Sequence, residues 1–194
     1  MMPLLLLPVL AAGQIPAGLA DHLKDAAVVH ADFEQVRTLA ALSRPLKASG
    51  SLVLVRDKGV LWRMAKPVAM TYVMGPKGLL TVDGAGRRER RTARDLPVVG
   101  QMGRLFQAQV QGDWKALEGS FTLTGSGTPA HWEVSLVPTA RAVGFPKRLR
   151  LTGGRFVERI LLEEAGGDRM EITFSRQRLD APVTEAEGLL LAQD

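Results

Sequence analysis

Residues Gly50 to Pro67 read GSLVLVRDKGVLWRMAKP, which is two apolar runs joined by an Asp-Lys-Gly turn. This pattern predicts a β-hairpin. In its first strand Leu52 and Leu54 alternate with Val53 and Val55, so both faces of that strand are apolar. The second strand places Val60, Trp62 and Met64 on one face and Leu61, Arg63 and Ala65 on the other. A sheet that is apolar on both faces needs a covering layer on each.

Extended segments separated by Gly, Pro or Asp continue on both sides of this hairpin. The pattern predicts a mainly β fold, an antiparallel barrel or half-barrel of about 10–12 strands whose concave face must be filled. The predicted strands are Ala31–Arg37, Gly50–Arg56, Val60–Lys66, Ala69–Met74, Leu79–Val82, Arg87–Ala93, Lys115–Leu117, Ser120–Leu123, His131–Val137, Arg148–Leu151, Arg155–Glu163 and Arg169–Phe174.

Two helices are predicted beside these strands. Ile15–His30 has a short apolar stripe, and Leu96–Asp113 has a clearer one at helical spacing. The apolar face of the second helix consists of Val98, Met102, Leu105 and Phe106. Helices this short can fill the concave face only in part, so the rest of its apolar wall is either core or a cavity for an apolar ligand.

The composition is that of an ordinary globular chain with a basic balance. Its 194 residues suit one domain, and the formal net charge of +5 allows nucleic acid, anionic lipid or an acidic partner. The chain has no cysteine, which excludes disulfides, thiolate catalysis and cysteine-ligated metals. The methionines suit irregular, ligand-shaped pockets, although core filling is their commoner role.

The first 20 residues, MMPLLLLPVLAAGQIPAGLA, combine an apolar run with small residues. This combination is typical of a secretory signal peptide, although no basic residue precedes the run. We therefore predict a cleaved segment at 1–20 and a single exported, soluble domain at 21–194.

Motifs for covalent chemistry are weak in this sequence. The histidines are scattered, and no dinucleotide-binding or phosphate-binding loop is present. Ser126 and His131 lie close together in GSGTPAHW, but without the Gly-x-Ser-x-Gly turn of a hydrolase. An esterase-like enzyme whose activity depends on these two residues is the weakest alternative, and we expect no enzymatic activity, no cofactor and no metal.

The segment RRERRTAR concentrates positive charge. Its arginines are Arg87, Arg88, Arg90, Arg91 and Arg94. Basic side chains on both faces of a strand indicate an edge or projecting hairpin, which is either simply solvated or contacts lipid headgroups or a protein partner. Nucleic acid is not expected, because no aromatic residues alternate with the arginines.

The residues VHADFEQVRTL, RPLKASGSLVLVRDKGVLWRMAKP and VDGAG resemble the LolA family of periplasmic lipoprotein carriers. The matching positions are Phe33, Gln35, Ser49, Gly50, Arg56, Trp62, Pro67 and Asp83-Gly84. The likeness covers roughly residues 20 to 183, including Gly112-Asp113-Trp114 and the closing MEITFSRQRLDAPV. RPLKASG and KGVLWR also resemble a divergent branch linked to lipid or glycolipid export. Val60 and Asp57 depart from the family, which has an aromatic residue and a proline there.

The resemblance implies an unclosed β-barrel with lid helices over a hydrophobic cavity for acyl chains. It implies that Arg56 tethers a lid that here includes Val98–Ala108. The cavity residues expected on this basis are Leu52, Leu54, Val60, Trp62, Met64, Tyr72, Met74, Met102, Leu105 and Phe106.

The function implied is a monomeric periplasmic carrier for the acyl chains of a lipoprotein or related lipid. An inner-membrane exporter or ABC transporter would be the donor, and an outer-membrane protein the acceptor. The alternative is a periplasmic sensor or adaptor that uses the same half-barrel to recognise lipids or lipoproteins.

Overall fold

The computed structural model describes residues 26–75, 78–92, 105, 114–140 and 145–192. These residues form eleven strands, a 3₁₀ helix and one α-helix. In chain order they are β1 Val28–Thr38, β2 Leu46–Val55, β3 Gly59–Lys66, β4 Met70–Gly75, β5 Gly78–Asp83, β6 Arg88–Thr92, the 3₁₀ helix Trp114–Leu117, β7 Phe121–Thr128, β8 His131–Pro138, β9 Arg148–Gly153, β10 Val157–Glu163, β11 Arg169–Leu179 and α1 Glu185–Ala192.

All eleven strands belong to one antiparallel sheet, in the order β6-β5-β4-β3-β2-β1-β11-β10-β9-β8-β7. The first strand lies at the centre, where it pairs with β2 on one side and β11 on the other. Within the described residues β6 and β7 are the outer strands and do not pair with each other, so the sheet is not closed. This confirms the predicted mainly β, half-barrel fold.

One face of the sheet is apolar from β4 across to β7, and we call it the main apolar face. The ladder registers align its side chains in rows, for example Met170, Leu162, Leu149 and Leu136 on successive strands. Its buried members are Val29, Ala31, Phe33, Leu52, Leu54, Val60, Trp62, Phe121, Leu123, Trp132, Val134, Leu136, Leu149, Leu151, Ile160, Ile172 and Phe174, with Ala26, Leu105, Trp114 and Leu117 packed among them.

The opposite side of β2–β5 carries a second apolar face, made of Val53, Val55, Leu61, Val73 and Leu80. Helix α1 covers it with Leu191, which is buried there, and with Leu190, and Val183 just before the helix also packs against it. Helix α1 is therefore the covering layer that the second apolar face of the Gly50–Pro67 hairpin needs. The sequence did not predict this helix.

Two sequence predictions are corrected by the structure, and a third lies almost wholly outside the described residues. Val28–His30, which ended the predicted first helix, belongs to β1 and pairs with Val53–Val55, while residues 15–25 lie outside the described part of the chain. Lys115–Leu117 is not a strand but part of a 3₁₀ helix, in which Trp114 and Leu117 project on the same side and are both buried. Of the second predicted helix, only Leu105 lies within the described residues.

Helix α1 is held by Glu187, whose carboxylate accepts two hydrogen bonds and whose backbone N–H donates a third. Thr184 N–H donates to Glu187 Oε2 at 2.8 Å, and Glu187 N–H donates to Thr184 Oγ1 at 3.3 Å, which is a capping box at the start of the helix. Arg63 Nη1 of β3 donates to the other carboxylate oxygen at 2.5 Å. Only 5% of Glu187 is exposed, so the helix is tied to the sheet through a buried charge.

This carboxylate gives α1 a pH dependence. Burial of Glu187 favours its neutral form, but the hydrogen bonds from Thr184 and Arg63 outweigh burial and lower its pKa below the ordinary value of 4.5. The unfolded chain then binds the proton at a higher pH than the folded chain, so the stabilisation is complete above 4.5 and is lost as the pH falls through the lower, folded pKa.

We expect the thermal midpoint of the wild type to fall more steeply below pH 4.5 than that of Glu187→Gln, whose side chain cannot be protonated. Circular-dichroism melting curves recorded from neutral to acidic pH measure this difference. Glu185→Gln, which alters an exposed carboxyl in the same helical turn, serves as the control. If the thermal midpoints of the wild type and Glu187→Gln fell equally with pH, the pH dependence could not be assigned to Glu187.

Candidate functional site

The main apolar face is the candidate site, and its centre is an aromatic group on three strands. The rings of Phe33 on β1 and Trp62 on β3 have centroids 4.0 Å apart. Phe174 of β11 meets Trp62 edge-on at 6.2 Å. Phe33 lies opposite Gly50 on β2, which has no side chain to place between the two rings. Because these side chains come from distant parts of the sequence, the face exists only once the sheet is assembled.

Most of the residues predicted from sequence to form an acyl-chain cavity lie together on this face. Leu52, Leu54, Val60, Trp62 and Leu105 are buried in its cluster, and Tyr72 and Met74 are partly buried against it. Met102 and Phe106 lie outside the described residues. Met64 is not among the cluster's members, and it lines a cleft of about 660 Å³ that Ser51, Arg63 and Thr71 also line.

Sequence reasoning missed the half of the face that comes from β7–β11. Trp132, Val134 and Leu136 alternate along β8, and Leu149 and Leu151 alternate along β9. The residues between them, Glu133, Ser135 and Arg150, are polar and lie on the other side of the sheet, where Arg150 pairs with Glu133 at 3.4 Å. This period-two alternation was the signal that could have identified the second half of the wall.

Arg56 follows β2 and contacts the segment before β1. Its Nε and Nη2 donate to the carbonyl oxygen of Ala26 at 3.1 and 2.8 Å, and its backbone N–H donates to the carbonyl oxygen of Ala27 at 2.9 Å. The lid range expected to contact Arg56, Val98–Ala108, lies outside the described residues apart from Leu105. The guanidinium thus anchors the entry into the central strand, and its role as a lid tether stays a prediction.

The remaining motif residues occupy central positions in the sheet. Phe33 is almost fully buried, and Gln35 lies two residues along β1, opposite Ala48 on β2 and Ile172 on β11. At Gly50 the backbones of β2 and β3 approach closely, because a Cβ built on this residue would lie 1.8 Å from the carbonyl oxygen of Arg63.

The arginine-rich segment forms β6, an outer strand whose residues are all exposed. Arg87, just before it, donates through Nε to Asp83 Oδ2 at 2.7 Å, and the hydrogen bonds from its backbone and guanidinium lower the pKa of Asp83. Arg91 pairs with Glu89 at 2.9 Å. Arg88 and Arg90 lie on the same exposed strand, and Arg94 is outside the described residues.

The two residues considered for catalysis, Ser126 and His131, are not cross-strand partners. Ser126 on β7 lies opposite Glu133, whereas His131 on β8 lies opposite Thr128, and all four residues are exposed. Across the described ranges, no group of three or more His, Asp or Glu side chains could hold a metal ion.

The sequence matches the family model described as outer membrane lipoprotein carrier protein LolA-like over residues 11–165. The chain belongs to this LolA-like family. The resemblance inferred from Phe33, Gln35, Gly50 and the residues after them is therefore confirmed. Proteins of this family are carriers and binding proteins.

Solved structures align with most of the chain at low sequence identity. A DUF1329 family protein from Desulfovibrio piger aligns with a TM-score of 0.52 and 8% identity over 86% of this chain and 91% of its own. A LolA superfamily protein from Nitrosomonas europaea aligns with a TM-score of 0.47 and 10% identity over 88% and 98%. No curated protein matches the chain by sequence. In the described part of the chain, no helix has the length and apolar character needed to cross a membrane.

Proposed function

We propose that this protein, as a single domain spanning residues 21–194, is a periplasmic carrier. It holds the acyl chains of a lipoprotein or related lipid against the main apolar face and shuttles them toward the outer membrane. The observation that supports this most is the extent of that face, which continues from β4 to β7 on a sheet that does not close. Membership of the LolA-like family supports the same function.

The two apolar faces differ in what they can offer a ligand. The second face is small and is covered by α1 of the same chain. The main face continues over a sheet whose outer strands, β6 and β7, do not pair with each other within the described residues. Accordingly, the proposal assigns cargo binding to the main face and a purely structural role to the second.

Energetics require that such a site release its cargo as well as bind it. Removing an acyl chain of about 16 carbons from water contributes on the order of 10 kcal/mol. A rigid, fully matched site would release that cargo too slowly for a carrier. Closure of the empty site must therefore recover part of the free energy that is lost when the acyl chain leaves. A lid tethered by Arg56 would meet this requirement. In this proposal the cargo comes from an inner-membrane exporter or ABC transporter and is passed to an outer-membrane protein.

Two neighbouring residues of β2 allow a matched test of this assignment. Leu54 belongs to the main face and Val53 to the second, and each is 3% exposed. We expect delipidated protein to take up the fluorescent fatty acid cis-parinaric acid saturably, and Leu54→Ala to weaken this binding about tenfold, or about 1.4 kcal/mol, through lost contacts. Val53→Ala also removes buried apolar atoms, but it should leave the affinity within about twofold.

Fluorescence titration measures both affinities, and thermal melting confirms that each variant is folded. Absence of uptake by the wild type would remove the proposal. Equal weakening by the two variants would show that the probe does not bind at the main face.

A further inference from the structure

Trp114 buries a hydrogen-bond donor for which the described residues provide no acceptor. It begins the 3₁₀ helix and packs on the main apolar face, with its ring edge-on to Trp132 at 6.5 Å and an angle of 71°. Only 8% of the residue is exposed. Its Nε1 is fully buried and has no hydrogen-bond partner among the described residues. Buried tryptophan N–H groups usually have a partner, and leaving one without a partner destabilises the folded state.

The neighbouring tryptophan shows the usual arrangement. Trp132 is as deeply buried, and its Nε1 donates to the carbonyl oxygen of Gly154 at 2.7 Å. Gly153 leaves room for this ring, because a Cβ built there would lie 2.9 Å from it. The hydrogen bond to Gly154 therefore fixes the orientation of the Trp132 ring, and Trp114 packs against this ring.

The other unpartnered buried atoms are of a different kind. They are Nε of Arg37 and Nε of Arg150, and each guanidinium still forms an ion pair, with Glu164 and Glu133 respectively. The indole nitrogen is the only polar atom of the Trp114 side chain, so its hydrogen-bonding capacity is wholly unused within the described residues.

We infer that Trp114 Nε1 donates a hydrogen bond to the carbonyl oxygen at the head of a bound acyl chain, whether ester-linked or amide-linked. An indole N–H can only donate, so its partner must be an acceptor. The surroundings are the apolar main face, where a charged carboxylate or phosphate would be costly to bury. A neutral carbonyl fits both conditions. This inference rests on the proposed carrier function and assigns the position of the cargo's polar end.

A matched set of three ligands tests the carbonyl directly. They are 2-hydroxyethyl dodecanoate, N-dodecanoylethanolamine and 2-(dodecyloxy)ethanol, which share a chain and a hydroxyl but differ in having an ester, an amide or an ether link. Affinities are measured by displacement of cis-parinaric acid from the full-length wild type, Trp114→Phe and Trp132→Phe. Trp132→Phe is the control, because it removes an indole N–H that already has a partner within the protein.

We expect the ester-to-ether and amide-to-ether affinity ratios to fall about fivefold in Trp114→Phe, equivalent to about 1 kcal/mol, and to stay unchanged in Trp132→Phe. A fall for only one carbonyl compound supports the inference and identifies the linkage. Unchanged ratios in Trp114→Phe, with all three ligands still bound, would overturn the inference and leave the carrier function standing. Failure of the wild type to bind any of the ligands would overturn both.

Nuclear magnetic resonance of the wild type provides a readout that does not depend on a variant's stability. The chain contains three tryptophans and therefore three indole N–H signals. The Trp114 signal, identified by its loss in Trp114→Phe, should move downfield with the ester or the amide but not with the ether. An indole signal that responds equally to all three ligands would contradict the assigned hydrogen bond.

Discussion

Gly50→Ala should lower the free energy of unfolding by about 3 kcal/mol, a large part of the stability of an ordinary domain. The added Cβ would lie 1.8 Å from the carbonyl oxygen and 2.8 Å from the carbonyl carbon of Arg63. Both atoms belong to the backbone of β3, so no rotation of a side chain relieves the overlap and the two strands must separate. Separation also disturbs the aromatic contact between Phe33 and Trp62 beside it.

Gly166→Ala is the matched control for this prediction. Gly166 lies in the turn between β10 and β11, where an added Cβ would meet nothing within 4 Å. Its replacement should change the free energy of unfolding by less than about 0.5 kcal/mol. Urea unfolding measures both variants, and a Gly50→Ala protein as stable as Gly166→Ala would show that β2 and β3 are not packed as described.

Arg63→Ala should destabilise the protein by about 3 kcal/mol, more than Glu187→Gln does. The Glu187 side chain is 7% exposed, whereas that of Arg63 is 32% exposed. Removing the arginine leaves a buried carboxylate without its cationic partner, but removing the negative charge leaves a guanidinium that can still reach water. The larger effect therefore comes from the more exposed residue of the pair.

Arg159→Ala is the control for this asymmetry. Arg159 and Glu171 are also 2.5 Å apart, but their side chains are 52% and 38% exposed. Exposed ion pairs contribute little, so the change should be less than about 1 kcal/mol. Urea unfolding at neutral pH measures all three variants. If Arg63→Ala and Arg159→Ala were equally mild, the buried pair would not hold α1 on the sheet.

The sequence predicted the local features of the sheet well, because alternation within a strand depends on neighbouring residues. Leu52 and Leu54 lie on one face and Val53 and Val55 on the other, as their spacing indicated. The strand count and the mainly β class followed from the same signal, together with the glycine-rich and proline-rich turns. Family membership rested on a few spaced residues, of which Phe33 and Gly50 have clear structural roles in the sheet.

What covers the second face could not be read from the sequence. Arg63 and Glu187 are 124 residues apart, and no local pattern connects them. Helix α1 is eight residues long, contains Gly188, and has three consecutive leucines rather than helical spacing. Its position depends on a capping box and an ion pair that form only in the folded sheet.

The end of the first predicted helix, Val28–His30, was wrong for a related reason. Val28 and Val29 suit either a helical stripe or a strand, and pairing with Val55 and Leu54 of the hairpin decided between the two. Tertiary pairing overrode the local pattern there. Trp114, likewise, stood out in the sequence only as part of a family motif, because an unused buried donor becomes visible only when its surroundings are known.

Mass spectrometry of the protein purified from its own cell envelope tests most directly whether the main apolar face is a wall for cargo. The account predicts an acyl-bearing lipid or lipoprotein bound in stoichiometric amount, which organic solvent removes and cis-parinaric acid replaces. The claim would be contradicted if the purified protein contained no acyl compound and did not take up the probe. The main apolar face would then be only the core of the sheet.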